Sequence, residues 1–165
     1  MATPDAALKT PTDIPTNAAR SVAEALNGIL ADSFALYLKT KNFHWHVSGP
    51  HFRDYHLLMD DQATQILGST DQIAERVRKT GNTTLRSIGD IARHQTIKDN
   101  NAAFVAAADM LAELREDNLK LVETLREAKD IVDAAKDNAT SSILDDWTDQ
   151  AEERAWFLFE ASRNA

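Results

Sequence analysis

The sequence contains no cysteine, which excludes disulfide bonds and metal sites built from thiolate ligands. A metal site in this chain must therefore use His, Asp and Glu. Glycine and proline are also scarce, with five and four among 165 residues, whereas alanine and leucine are abundant. Because alanine and leucine favour helix interiors and glycine and proline disfavour them, the composition predicts a helical protein.

Long apolar segments are absent as well. No apolar run approaches the roughly 20 residues needed to cross a bilayer. The first twenty residues also lack the charged start and apolar stretch of a secretory signal, so the cytoplasm is the expected location. The formal net charge of −8 repels phosphate backbones and suits the attraction of cations.

The first 16 residues differ in composition from the remainder of the chain. They contain Pro4, Pro11 and Pro15 and have no apolar period, which predicts a flexible N-terminal tail. Residues 17–165 have the length of a single domain.

Apolar residues within that domain recur with helical spacing, and no segment alternates as a strand would. Gly81 suits the left-handed position that ends a helix. Four long helices joined by short connections predict an all-α four-helix bundle, with a short extra helix at 85–93 between the second and third. The long helices are expected at residues 17–47, 51–79, 101–136 and about 140–163.

Five side chains with nitrogen or oxygen ligands for iron, manganese or zinc stand out. They are His44, His56, Asp60, Asp71 and Glu75. At about 100° per residue, the last four lie on one stripe of the second helix, centred roughly 120° from its apolar core positions. The stripe is therefore expected to face away from its own bundle. The alternative interpretation of each residue alone is a solvated polar position.

The stripe is too long to form one metal site within a single chain. His56 and Asp71 are fifteen residues apart, or about 22 Å along a helix, whereas a ligand lies only about 2–2.5 Å from its metal. However, the pairs His56/Glu75 and Asp60/Asp71 share one midpoint in the sequence. A two-fold axis at that point would bring each residue beside its pair mate in an antiparallel second copy. The residues near the axis are small or apolar, namely Ala63, Thr64, Leu67 and Gly68.

One further motif is missing. A di-iron site inside a single four-helix bundle uses Glu-x-x-His on two of its helices. The sequence contains no Glu-x-x-His, so a di-iron centre within one subunit is disfavoured.

The segments around these residues resemble the signature of the DNA-binding proteins from starved cells (Dps), or miniferritins. The resemblance covers the first two long helices closely and continues weakly near the C-terminus. It implies a ferritin-like bundle that assembles into a dodecameric shell, oxidises Fe(II) preferably with hydrogen peroxide, and stores ferric mineral. The matching segments are Lys41-Asn42-Phe43-His44-Trp45, Gly49-Pro50-His51-Phe52, His56, Asp71 with Ala74-Glu75-Arg76, and Trp156-Phe157-Leu158.

The same resemblance assigns roles to the five candidate ligands. It implies a di-iron ferroxidase site, cycling between Fe2+ and Fe3+, at each two-fold interface. His44 and His56 would come from one subunit, and Asp71 and Glu75 from its partner. Asp60 matches an additional carboxylate near the site.

The chain departs from the family's usual pattern at three places. His46 stands where asparagine is usual, as either an extra ligand or an ordinary imidazole. Asp137 and Thr140 match part of a pore motif, but Ser142 replaces its second aspartate. The third departure is the N-terminal region, which lacks the usual cluster of basic residues.

That N-terminal region carries only Lys9 and Arg20, against Asp5 and Asp13. DNA binding is therefore not expected, because affinity for a duplex depends on lysine and arginine. The alternative functions are a DNA-compacting shell with secondary iron binding and a metal buffer without turnover.

Overall fold

The computed structural model describes residues 6–163, and the predicted all-α bundle is confirmed. Four long helices form the bundle, a short one lies in the connection between the second and third, and the described chain contains no β-strand. Residues 1–5 of the expected tail, with Pro4 and Asp5, lie outside the described range. The helices are α1 (Thr16–His46), α2 (Phe52–Lys79), α3 (Ile88–His94), α4 (Ala107–Ala134) and α5 (Asn138–Ser162).

A single apolar core runs between the long helices. Helix α1 packs mainly along α2, and α4 along α5. Each fully buried leucine or isoleucine contributes roughly 1.5–3 kcal/mol to the hydrophobic stabilisation. The largest fully buried side chains include Phe43, Leu26, Ile29, Met59, Ile66, Ile73, Leu111, Leu114 and Leu125.

The segment before α1 is partly ordered against the bundle. Ala6–Leu8 form one turn of 3-10 helix, and the Thr10 carbonyl approaches the end of α2 at Gly81. Gly81 has a φ of +87°, and a Cβ there would lie 2.7 Å from the Thr10 oxygen, so glycine is required by both conformation and space. Arg20, grouped with the tail by sequence, belongs to α1.

Helix α4 begins at Ala107, six residues later than the sequence pattern predicts. Hydrogen bonds at Asn100 account for the difference. Its side chain accepts from the Ala102 amide and donates to Glu113, and its carbonyl accepts from Asn42. These bonds hold the segment in a non-helical path. Phe104 lies within the range predicted as helix and fits its apolar period, but it is 72% exposed.

Behind that segment lies a buried cluster of charges. Lys39, 6% exposed, places its Nζ 2.7 Å from Glu113 Oε1, 2.7 Å from Asp117 Oδ2 and 2.8 Å from the Lys98 carbonyl. The Lys39–Asp117 contact is an ion pair by distance but is not aligned as a hydrogen bond. Burial raises the pKa of Asp117 above its ordinary value, although Lys39 acts in the opposite direction.

Replacing Lys39 by methionine is expected to destabilise the fold by about 3 kcal/mol at pH 7, because two carboxylates lose their buried cation. The raised pKa of Asp117 means that its ionisation in the folded state lowers stability as the pH rises through that pKa. The cost of Lys39→Met should therefore shrink at acidic pH, as Asp117 becomes protonated. Urea unfolding between pH 4 and 8 measures the effect.

Lys120→Met is the matched control for this experiment. Lys120 is exposed, and its ion pair with Glu123 is long, at 3.6 Å. The control should change the unfolding free energy by less than about 1 kcal/mol at every pH. Equal effects of the two substitutions would contradict the assignment of Lys39 as the cation of a buried cluster.

Candidate metal centre

Two candidate histidines meet where α1 ends and α2 begins. His44 lies in the last turn of α1 and His56 in the second turn of α2, and their rings stack with centroids 3.8 Å apart and planes 17° apart. Phe52 stacks on the His56 ring, with the two ring centroids 5.0 Å apart. In the sequence, only the family resemblance predicted that these two imidazoles share a site. The structure places their rings in direct contact.

Each histidine is oriented by the backbone of the other. His44 Nδ1 lies 2.7 Å from the His56 carbonyl oxygen, and His56 Nδ1 lies 2.8 Å from the His44 carbonyl oxygen. A carbonyl oxygen can only accept a hydrogen bond, so each Nδ1 carries the proton. In the neutral rings, Nε2 is then the atom with a free lone pair, which is the arrangement found in metal-binding histidines.

Asp60 joins the pair from the next turn of α2. Its Oδ1 lies 3.8 Å from His44 Nε2 and accepts a hydrogen bond from Lys41 Nζ at 2.7 Å. That hydrogen bond keeps the pKa of Asp60 below its ordinary value, against the opposing effect of desolvation. Asp60 is therefore a carboxylate at neutral pH, adjacent to the imidazole nitrogen.

The remaining two candidates lie far from this group in the same chain. Asp71 and Glu75 are exposed on the second half of α2, and Glu75 makes a 3.5 Å ion pair with Lys79. Within residues 6–163, no three His, Asp or Glu side chains gather closely enough to hold a metal ion. The structure thus places His44 and His56 in contact, with Asp60 3.8 Å from His44 but not in a three-ligand cluster, and Asp71 and Glu75 lie farther along α2.

Three of the four residues that the sequence places near a two-fold axis are exposed. Thr64, Leu67 and Gly68 are exposed, as expected for positions near a two-fold axis. Ala63, which the sequence placed with them, is fully buried in the bundle core. It is therefore a core residue of α2 and not part of the outer surface.

The other family-related residues have roles within the chain. His46 is exposed, and its Nδ1 contacts the Asn42 carbonyl and side chain at 2.8 Å. Asp137 and Thr140 are buried at the start of α5, where Asp137 accepts from the Thr140 amide and pairs with Arg76 at 2.9 Å. This cap explains why α5 begins at Asn138, slightly before the expected start at about residue 140. It also engages the Asp137 carboxylate that the family pattern assigns to a pore.

Comparison with known proteins shows the family of this chain. The family model of the ferritin-like domain matches residues 23–163. A DNA protection during starvation protein of Agrobacterium fabrum is 34% identical over 150 residues, covering 91% of this chain and 93% of that protein. One from Brevibacillus brevis is 33% identical over 143 residues, covering 87% and 95%. The chain belongs to the Dps family.

The solved structures support the same family. The structure of DpsC from Streptomyces coelicolor superposes with a TM-score of 0.91 at 25% identity, over 95% of this chain and 92% of that one. The five-helix arrangement described above is therefore the fold of a Dps-family chain. No helix in the described range is long and apolar enough to cross a membrane.

Proposed function

We propose that this Dps-family chain is a ferroxidase and iron-storage protein of the cytoplasm. It would assemble into a hollow dodecamer, oxidise Fe(II) preferably with hydrogen peroxide, and retain the ferric product inside. The observation that carries the proposal is the reciprocal hydrogen bonding of His44 and His56, which fixes both Nδ1 protons and leaves both Nε2 atoms able to bind metal.

The ligands suit iron as the substrate. Imidazole nitrogen and carboxylate oxygen both bind Fe(II), and the chain has no thiolate to favour softer metals. Asp60 offers a carboxylate beside His44, and its hydrogen bond from Lys41 lowers the pKa of that carboxyl below its ordinary value. Mixed ligation of this kind leaves open positions for an oxidant and permits release of the product.

The site is completed, in this proposal, by a second copy of the chain. Asp71 and Glu75 are exposed and about 22 Å or more from His56 along α2. An antiparallel α2 from a partner would place its Asp71 and Glu75 opposite the histidines of the first chain. Each dimer would then hold two equivalent sites, each with two histidines from one chain and two carboxylates from the other.

The chain also exposes large apolar side chains that a partner chain could bury. They lie on α1, α2 and α5, and exposed apolar surface marks an interaction site where it is contiguous. Leu38 is 56% exposed, Trp45 57% and Trp156 60%. Burial of these side chains between copies would supply the hydrophobic stabilisation that the isolated chain leaves unused.

The reaction needs little from the protein beyond position and charge. Two Fe(II) ions each lose one electron, and one hydrogen peroxide takes both electrons and two protons to give two waters. The carboxylates stabilise the higher charge of Fe(III), while the imidazoles hold the ions close together. The acidic chain, with a net charge of −8, favours entry of cations.

Anaerobic loading with Fe(II), followed by peroxide, tests this function directly. We expect rapid oxidation of about two Fe(II) per peroxide, read from the absorbance of the ferric product and from residual peroxide. A metal buffer without turnover would bind Fe(II) but oxidise it no faster than iron free in solution. That second result would contradict the proposal.

DNA compaction is the alternative function, and we expect no binding at pH 7–8 and about 0.15 M salt. A dodecamer would carry a formal charge of about −96, and the segment before α1 contributes one basic side chain, Lys9. Duplex affinity comes largely from lysine and arginine displacing counterions. Retardation of plasmid on a gel at low-micromolar concentrations of the shell would favour the DNA-binding alternative. A tail variant with several added lysines serves as a positive control.

A further inference from the structure

One carboxylate of the candidate metal centre already has a cation beside it. Lys41 Nζ lies 2.7 Å from Asp60 Oδ1 and donates a hydrogen bond to it. The same Oδ1 atom lies 3.8 Å from His44 Nε2, the imidazole nitrogen with a free lone pair. The lysine therefore places a positive charge on the carboxylate oxygen that lies closest to a candidate imidazole ligand.

A metal ion bound to Asp60 Oδ1 would compete with this ammonium. The metal would lie within about 5 Å of Lys41 Nζ, because Nζ itself is only 2.7 Å from that oxygen. Two cations at this distance repel each other, and the repulsion is stronger near a protein than in bulk water. Binding of a metal by Asp60 therefore favours movement of the lysine away from the carboxylate.

A second position for the ammonium lies within reach. Lys41 Nζ is 5.8 Å from the ring centroid of Trp45, one turn further along α1. The face of an indole attracts an ammonium group at this distance. Trp45 is 57% exposed, so water also reaches a cation beside it. A lysine that leaves Asp60 therefore keeps a favourable environment and is not left as an unpaired buried charge.

We propose that Lys41 is a built-in competitor for the metal site. Its ammonium neutralises Asp60 while the site is empty, and a multiply charged cation displaces it towards Trp45. This inference rests on the proposed function and concerns which cations the site accepts.

The competition selects against monovalent ions. A tethered ammonium is present at high effective concentration beside the carboxylate, so sodium or potassium, with the same charge, gains nothing by replacing it. A divalent ion has about twice the attraction to the carboxylate at equal distance, and it also binds the imidazole of His44. Lys41 is thus a specificity-determining residue of the site.

A crystal structure of the full chain with Zn(II) is the direct test, because zinc binds imidazole and carboxylate without changing its oxidation state. We expect zinc on His44 and Asp60, with Lys41 Nζ more than about 4 Å from Asp60 Oδ1, beyond ion-pair distance. Zinc bound while Lys41 still donates to Asp60 would overturn this inference and leave the proposed function standing. No zinc at these residues would overturn both.

Zinc affinity of the assembled protein, measured by competition with a coloured chelator, tests the inference in solution. Lys41→Met should bind zinc at least about fivefold more tightly, because apparent affinity falls with the fraction of sites that the lysine leaves free. Lys41→Arg retains a cation and should bind no more tightly than wild type. In an Asp60→Asn background, Lys41→Met should change the affinity less than about twofold, because the two residues act as a pair.

Arg53→Met is the matched control for net charge. Arg53 is exposed, lies two turns before Asp60 on the same face of α2, and makes no ion pair within residues 6–163. Its removal should change zinc affinity less than about twofold, because solvent and salt screen its charge. Equal gains in Arg53→Met and Lys41→Met, or an unchanged affinity in Lys41→Met, would overturn the inference.

Discussion

Replacing His56 by alanine is expected to lower the rate of peroxide-driven Fe(II) oxidation at least about 100-fold, with the shell still assembled. The substitution removes one imidazole ligand, and it also removes the ring that stacks on His44 and holds it through the His44 carbonyl. Loss of a residue that only orients a metal ligand already costs about 10–100-fold. Stopped-flow absorbance after addition of peroxide to Fe(II)-loaded protein measures the rate.

His46→Ala is the matched control for that experiment. His46 lies two residues from His44 on the same helix and makes a similar Nδ1 contact to a carbonyl oxygen, but it is exposed and outside the stacked pair. We expect its rate to stay within about twofold of wild type, and both variants to elute as shells. A wild-type rate in His56→Ala, or an equal loss in His46→Ala, would contradict the assignment of the stacked pair as ligands.

Much of the fold could be predicted from the sequence because the long helices have strong apolar periodicity and clear end signals. Gly81 marked the end of α2 correctly, since its left-handed conformation and the nearby Thr10 carbonyl both require glycine. The start of α4 was missed because Asn100 holds the preceding segment through contacts with α1 and α4 that no local pattern reveals. Phe104 fits a helical period but is exposed.

The candidate site was predictable in its chemistry but not in its fine geometry. Residue type and helix spacing identified the outer stripe of α2, and Asp71 and Glu75 are indeed exposed. Spacing could not show that His44 and His56 exchange backbone hydrogen bonds, because that requires the turn between two helices to be formed. The Lys41–Asp60 ion pair was not predicted either. Lys41 lies in the Lys41–Trp45 segment of the family resemblance, and its cation needs a carboxylate partner, which was the available signal.

Buried polar groups were the least predictable feature. Arg154 looks like an ordinary charged position on an amphipathic helix, yet it lies in the core with amide partners. Asp137 resembles a pore residue, yet it caps α5 and pairs with Arg76. The partners of Arg154 and the Arg76 partner of Asp137 lie more than thirty positions away in sequence, so a local motif cannot reveal them, although the cap from Asp137 to Thr140 is local.

The central claim is that each iron site is shared between two chains, and complementation between inactive variants is its sharpest consequence. One variant would carry His44→Ala and His56→Ala, and the other Asp71→Ala and Glu75→Ala. Each alone should be inactive, because every site lacks two ligands. In a mixed dimer, one site receives intact histidines from one chain and intact carboxylates from the other, while the second site loses all four.

The decisive measurement is the rate of peroxide-driven Fe(II) oxidation after the two variants are disassembled, mixed in equal amounts and reassembled. Half the dimers should be mixed and each should hold one complete site, so we expect roughly a quarter of the wild-type rate. A mass tag on one variant confirms mixed dimers by native mass spectrometry, and each variant reassembled alone gives the baseline. Recovery to about a quarter is the predicted result, and no recovery in confirmed mixed dimers would contradict a site shared between chains.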